Sequence, residues 1–254
     1  MQFEPEELIE AYDGSADYVE LYDDSKREAV TVEDWPRTLD QLKALAGPDS
    51  ARDLFDVGAA DGRFLDSARS AGFTPHGNEL SAAAIATAQA RYGIDLFKGD
   101  LSELSTSGDQ DAVTMWCVLA HVHDGEQLLR DVHRTLRTGG VLFIQTPRWS
   151  AMDSIALWLL EVTRGRMSRI VDRRTPGHHL RFHTAKSATM QLNRLGYDVV
   201  SAEPKARYSM QTEGYLDSIG LGPRAVRFFA RPVDALLARG WFFRIVLDVY
   251  ARKR

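Results

Sequence analysis

Leu54-Phe-Asp-Val-Gly-Ala-Ala-Asp-Gly-Arg-Phe-Leu65 decides how the rest of the chain is read. Apolar residues lead into Asp56, small residues with Gly58 and Gly62 make a turn, and a helix-like pattern follows at once. That is a strand, a tight loop and a helix N-terminus, the arrangement by which α/β proteins bring backbone against a nucleotide-like ligand. The spacing of the small residues narrows the ligand. A dinucleotide loop needs Gly-x-Gly-x-x-Gly, whose later glycines permit approach to a pyrophosphate and close helix packing. Counted from Gly58, Ala60 and Arg63 stand at those places, a poor match.

Two further acids follow in order. Glu79 lies in Thr74-Pro-His-Gly-Asn-Glu-Leu-Ser81, roughly 20 residues beyond the loop, where an acid ending a second strand can accept both ribose hydroxyls. Asp100, in Lys98-Gly-Asp-Leu101, closes a third strand and can accept from an adenine amino group, with Leu80 and Leu101 sandwiching the ring. Taken singly, such an acid is more often a turn former or a helix cap.

With these three features at βαβ spacing, the chain resembles a class I S-adenosylmethionine (SAM)-dependent methyltransferase. The similar group holds small-molecule enzymes of the ubiquinone-biosynthesis, sugar and natural-product types. Asp111-Ala-Val-Thr-Met-Trp-Cys-Val-Leu-Ala-His121-Val-His-Asp124 resembles the group's fourth strand and its following Leu-Glu-His segment. Leu136-Arg-Thr-Gly-Gly-Val-Leu-Phe-Ile-Gln-Thr-Pro147 resembles its Gly-Gly turn and fifth strand. Pro176-Gly-His178-His-Leu-Arg-Phe-His-Thr184 resembles its Pro-x-His-x-x-x-Phe segment. The resemblance covers about residues 50 to 204, with a weaker C-terminal match, and departs at Ala60 (commonly Gly), Cys117 (commonly Asp) and Ala120 (commonly Glu). The last two leave the wall near the methyl group less acidic than is usual.

The resemblance implies an α/β fold: a Rossmann-like, seven-stranded, mostly parallel sheet flanked by helices, with helical insertions after strands five and six. The seventh strand is expected to run antiparallel between the fifth and sixth. It implies SAM as cofactor, held by Asp56, Gly58, Ala60, Gly62, Glu79, Leu80, Asp100, Leu101, Trp116 and Cys117. Trp116 and Met115 are expected to touch the adenine or the sulfonium, which aromatic faces attract as they do other cations. A lone cysteine such as Cys117 is usually a small core residue.

The chain's 254 residues suit one domain with insertions. Its 44% hydrophobic and 26% charged content is ordinary for a globular protein. One cysteine excludes an internal disulfide and a cysteine-built zinc site. No apolar run approaches ~18 residues, so no transmembrane segment is expected, and no secretory signal pattern opens the chain. A cytoplasmic location is the expected default. The net charge of −5 hides an acidic first stretch and, from Arg164 on, a run of arginines. Those arginines suit either solvated faces or an anionic substrate or membrane surface, while nucleic acid is not expected.

Strands are expected at 53–57, 75–79, 94–98, 111–117, 140–146, 197–202 and 244–251, and helices at 35–46, 62–71, 81–91, 125–137 and 185–195. Residues 1–47 are expected to form an N-terminal helical lid whose Tyr12, Tyr18 and Tyr22 line the cofactor or simply pack the helix down, and 48–254 the SAM-binding domain. Insertions 147–184 and 205–243 carry amphipathic helices at Ile155–Val162 and Pro223–Leu237. They are placed to cap the substrate, or to form dimer or membrane surface. Monomer and homodimer both stay open.

If the nucleophile is a hydroxyl, a base near pH 7 helps, and histidine is the usual one. His121, after strand four, and His178, in the loop matched after strand five, are the expected base or substrate ligands, ahead of His123, His179 and His183. Each can equally brace a loop. No metal-ligand spacing with carboxylates stands out, so no metal is expected. The expected activity is methylation of a small-molecule acceptor, which can be anionic. O-methylation of a sugar, quinone-like or natural-product hydroxyl is favoured. N-methylation, a non-catalytic SAM-binding protein and, last, an NAD-dependent oxidoreductase are the alternatives.

Overall fold

The computed structural model describes residues 34–47, 52–104, 108–165, 179–205, 212–213, 216, 221–238 and 244–254. Most of the expected lid, with Tyr12, Tyr18 and Tyr22, and His178 lie outside the described residues.

Helices and strands alternate as α1 (Asp34–Ala46), β1 (Asp53–Val57), α2 (Arg63–Ser70), β2 (Thr74–Glu79), α3 (Ala82–Tyr92), β3 (Phe97–Lys98), β4 (Gln110–Trp116), α4 (Gly125–Thr135), β5 (Leu136–Pro147), α5 (Ala151–Val162), α6 (Ala185–Arg194), β6 (Tyr197–Lys205), α7 (Pro223–Ala238) and β7 (Val246–Lys253). The seven strands form one sheet in the order β3-β2-β1-β4-β5-β7-β6. β1 to β5 run parallel, and β7 lies antiparallel between β5 and β6. Strand order reverses between β1 and β4, which is where open α/β sheets bind ligands beyond their carboxyl ends.

Buried on both faces, the central strands are largely apolar, with Asp56, Asp111 and Thr114 as buried polar exceptions. One face packs Val113, Met115, Leu142 and Ile144 against Leu128, Leu129 and Val132 of α4 and Leu192 of α6. The other packs Leu54, Ala112 and Phe143 against Trp35, Leu39 and Leu42 of α1 and Phe64 and Leu65 of α2. The C-terminal carbonyls of α1, which have no partner within the helix, accept from arginines of the sheet: Leu45 from Arg252 at 2.5 Å and Ala46 from Arg137 at 3.4 Å.

Several boundaries differ from the sequence reading, among them β6, which runs to Lys205 rather than 202, and β7, which spans Val246–Lys253 rather than 244–251. β3 is two residues rather than five, because Ile94 turns into the core and only Phe97 and Lys98 reach the ladder of β2. α4 stops at Thr135, two residues early, where Leu136 takes an extended conformation and pairs with Gln110. β5 therefore begins four residues early and absorbs a register shift before Val141, with Gly139 at φ 76° inside it.

Candidate functional site

The site is built on the carboxyl edge of the sheet, from the β1–α2 loop outward. Gly58 turns the chain at φ 68°, and a Cβ added there would lie 2.7 Å from the Val118 side chain, so the loop touches the turn after β4. Gly62 starts α2 at φ 76°, with Ala88 of α3 2.9 Å from where a Cβ would sit. Between them Ala60 takes φ 52°, a left-handed conformation that costs a residue with a Cβ about 1–2 kcal/mol.

Glu79 fixes the loop. Its carboxylate is buried at the end of β2 and accepts the backbone N–H of Ala60 at 2.9 Å, of Leu80 at 2.7 Å and of Ser81 at 2.9 Å. A carboxylate offers about four acceptor positions. Three are taken by backbone, so two ribose hydroxyls cannot both be added without displacing one of these bonds. Beside it the Asn78 amide donates to the Gly99 carbonyl at 2.8 Å, and its buried Oδ1 has no partner among the described residues. Asp100 is exposed and caps the short turn Leu101–Glu103, accepting the Ser102 N–H at 2.8 Å. Leu80 is exposed, whereas Leu101 is buried in the core.

Asp56 lies two residues before the loop glycine and is buried. The Thr114 hydroxyl donates to it at 2.6 Å. Burial, with a smaller push from the Glu79 charge, raises its carboxyl pKa to about 8 against the opposing pull of that hydroxyl. At neutral pH the group holds a proton, and a positive charge brought beside it would favour the ionised carboxylate. Trp116 is directed into an aromatic cluster, 4.7 Å from Phe143, 5.1 Å from Phe64 and 6.3 Å from Trp35 between ring centres. Cys117 takes φ 63° and donates its N–H to Gln145 across the gap to β5.

His121 follows the 3-10 turn Val118–Ala120. A second segment is stitched beside it: Leu180 N–H donates to Ala120 O at 2.8 Å, Arg181 to the His123 carbonyl, and His183 N–H to Pro147 O at 3.1 Å. The stitching sets the His179 ring 4.9 Å from that of His121, with Phe182 behind His179 at 5.8 Å. His178, which the sequence favoured, lies outside the described residues; the described histidine ring beside His121 is that of His179. His183 is buried near the Thr146 hydroxyl, and burial with the Arg181 charge lowers its pKa, so it is neutral at pH 7. Asp248 of β7, buried and accepting from Gln145 at 3.0 Å, was not singled out in the sequence. It lines a polar cavity of about 130 Å³ with Arg37, Thr38, Glu203 and Lys205.

This geometry agrees with what comparison with known proteins finds. A family model described as a methyltransferase domain matches residues 33–202. The chain belongs to the methyltransferase domain family. SAM is that family's cofactor. A probable SAM-dependent methyltransferase of Mycolicibacterium smegmatis is 30% identical over 100 residues. That match spans 39% of each chain, so the chain covers well under half the length of this curated relative. Among solved structures, the chain overlays a putative methyltransferase in complex with the Haloferax volcanii Trm112 activator (TM-score 0.59, 14% identity, 91% of this chain and 94% of that one). It also overlays geranyl diphosphate C-methyltransferase of Streptomyces coelicolor A3(2) (TM-score 0.59, 15% identity, 86% and 79%). At these identities the overlays speak to the fold: the Rossmann-like sheet of class I methyltransferases.

Proposed function

We propose that this protein transfers the methyl group of SAM to a hydroxyl of a small-molecule acceptor. The observation that carries the reading is the carboxyl edge of the sheet at the β1/β4 reversal. There the latched Gly58–Gly62 loop follows the protonated Asp56 and touches the Val118–Ala120 turn that leads to His121, beside which His179 packs. SAM supplies the electrophilic methyl. The residues present suit it. The Asn78 Oδ1 and the remaining acceptor position of Glu79 can take donors from its nucleoside part. Asp56 can balance its ammonium group. Gly58, already in contact with Val118, leaves backbone rather than side chain facing the cofactor.

His121 acts as the base. It would take the hydroxyl proton of an acceptor aligned with the methyl group that SAM would supply, S-adenosylhomocysteine being the leaving group. His179 holds the His121 ring. Orientation and exclusion of water supply much of the rate in such an in-line displacement. The mixed-charge cavity beside Asp248 supports an acceptor rich in hydroxyl or charged groups. The test is incubation of the purified protein with methyl-labelled SAM and a panel of hydroxylated acceptors. Labelled ether product with S-adenosylhomocysteine supports the reading. SAM binding without turnover on any acceptor points to the non-catalytic alternative, and tight NAD binding without SAM binding defeats both.

A further inference from the structure

We propose that α5 and α7 together form a docking surface for an anionic lipid bilayer. Both helices hang from one place on the sheet. Pro147, which ends β5, and Lys205, which ends β6, each pair with Val246 at the start of β7. The segments that carry α5 and α7 thus leave and return at the same rim.

Each helix turns large apolar side chains to solvent. On α5, Ile155, Trp158 and Val162 are exposed, Trp158 at 59%, and their spacing of three and seven residues puts them on one face. The opposite face of α5 buries Asp153 and Ala156. On α7, Phe228 is 72% exposed and packs edge-on against the exposed Phe229. Beneath them Val226 and Ala230 join Leu216 and Leu221 in a small cluster separate from the two core clusters.

The charge beside these faces is mainly basic, with Glu161 of α5 and Asp234 of α7 the exposed acids on the two helices. Arg224, Arg227 and Arg231 recur at the same three- and seven-residue spacing along α7, all exposed, next to the phenylalanine face. The acid of that helix, Asp234, accepts the hydroxyl of Thr212. Exposed Arg164 follows α5, and exposed Arg244 precedes β7, its carbonyl accepting from Arg148. Aromatic side chains bordered by arginine form the pattern of a helix lying in the plane of a bilayer surface, its rings among the acyl chains and its cations at anionic headgroups. No helix among the described residues is long and apolar enough to cross a membrane, so the contact is with the surface. A second copy of the chain fits less well. A two-fold contact sets a patch against itself, and the arginine row of α7 would face its own image.

Co-sedimentation of the full chain with vesicles tests this, comparing phosphatidylcholine alone with phosphatidylcholine containing phosphatidylglycerol. Binding is expected to be at least about tenfold stronger to the anionic vesicles and to weaken as salt rises. Trp158→Ser with Phe228→Ser should abolish it. Arg224→Glu, Arg227→Glu and Arg231→Glu together should remove the preference for phosphatidylglycerol. Melting curves of the variants show whether the fold persists. Quenching of wild-type tryptophan fluorescence by brominated lipid needs no variant and should appear only with anionic vesicles. Equal binding to both vesicle types, absence of quenching, or a concentration-dependent dimer broken by the double variant would each overturn the proposal.

Discussion

At Glu79 one carboxylate accepts three backbone N–H groups and ties the β1–α2 loop to the end of β2. Removing it would do more than delete the proposed cofactor contact. Glu79→Ala leaves buried donors without partners, at a cost of about 2–3 kcal/mol. A lower melting temperature and weaker SAM binding should therefore appear together, by calorimetry and thermal melts. Asp56 makes the opposite kind of statement. Its carboxyl titrates near 8 when folded and near 3.8 when unfolded, so between those values the native state holds the extra proton. Stability then falls as pH rises from about 4 to 8. Asp56→Asn keeps an acceptor for the Thr114 hydroxyl and removes the titration. Its melting temperature relative to wild type should climb steadily across that window, and a pH-independent difference would refute the burial account. His121→Asn should lower kcat by about 10²–10⁴ with KM little changed, as expected for loss of a general base.

Among elements, the loop after β1 and the turn after β4 are one unit. Gly58→Ala forces a Cβ into left-handed backbone and against Val118, costing about 2 kcal/mol or more. Adding Val118→Ala should recover the steric part but not the backbone part, a non-additivity that a double-mutant cycle in denaturant reads directly. At this scale the sequence was most and least informative. β1 and β4 were legible because fully buried parallel strands spell apolar runs between turn signals. β3 was overestimated because Ile94 to Phe97 has strand-like composition, yet Ile94 serves the core and not the ladder. The end of α4 was missed because Leu136 continues the helical apolar spacing while its backbone has already joined β4. The Glu79 latch was invisible for a different reason: its partners are main-chain donors, which no residue type announces.

For the whole molecule, the proposed site makes folding and cofactor binding coupled, since the loop proposed to meet the cofactor also bridges β1, β2 and β4. A ligand at about 100 times its Kd adds about 2.7 kcal/mol of stability. In a chain of this size that raises Tm by about 5–10 °C. SAM and S-adenosylhomocysteine should produce that shift in a thermal melt, and NAD should not. The strand order and the reversed seventh strand follow from β-α alternation and the family resemblance together. The surroundings of His179 and Asp248 do not, because they arise from segments far apart in sequence meeting at one edge.

The shared pairing of Pro147 and Lys205 with Val246 gives the chain a freedom that its sheet does not have. The segment after β6 opens and closes on the Lys205–Val246 rung, and the segment after β5 opens at Pro147 and closes at the Arg148–His183 bridge, so either can grow or shrink without sliding any strand by a residue. The entropic penalty of a longer loop rises only by about 0.6 kcal/mol for each doubling. Changes of length in these two segments therefore leave the pairing of the sheet, and the loop at the end of β1, unchanged.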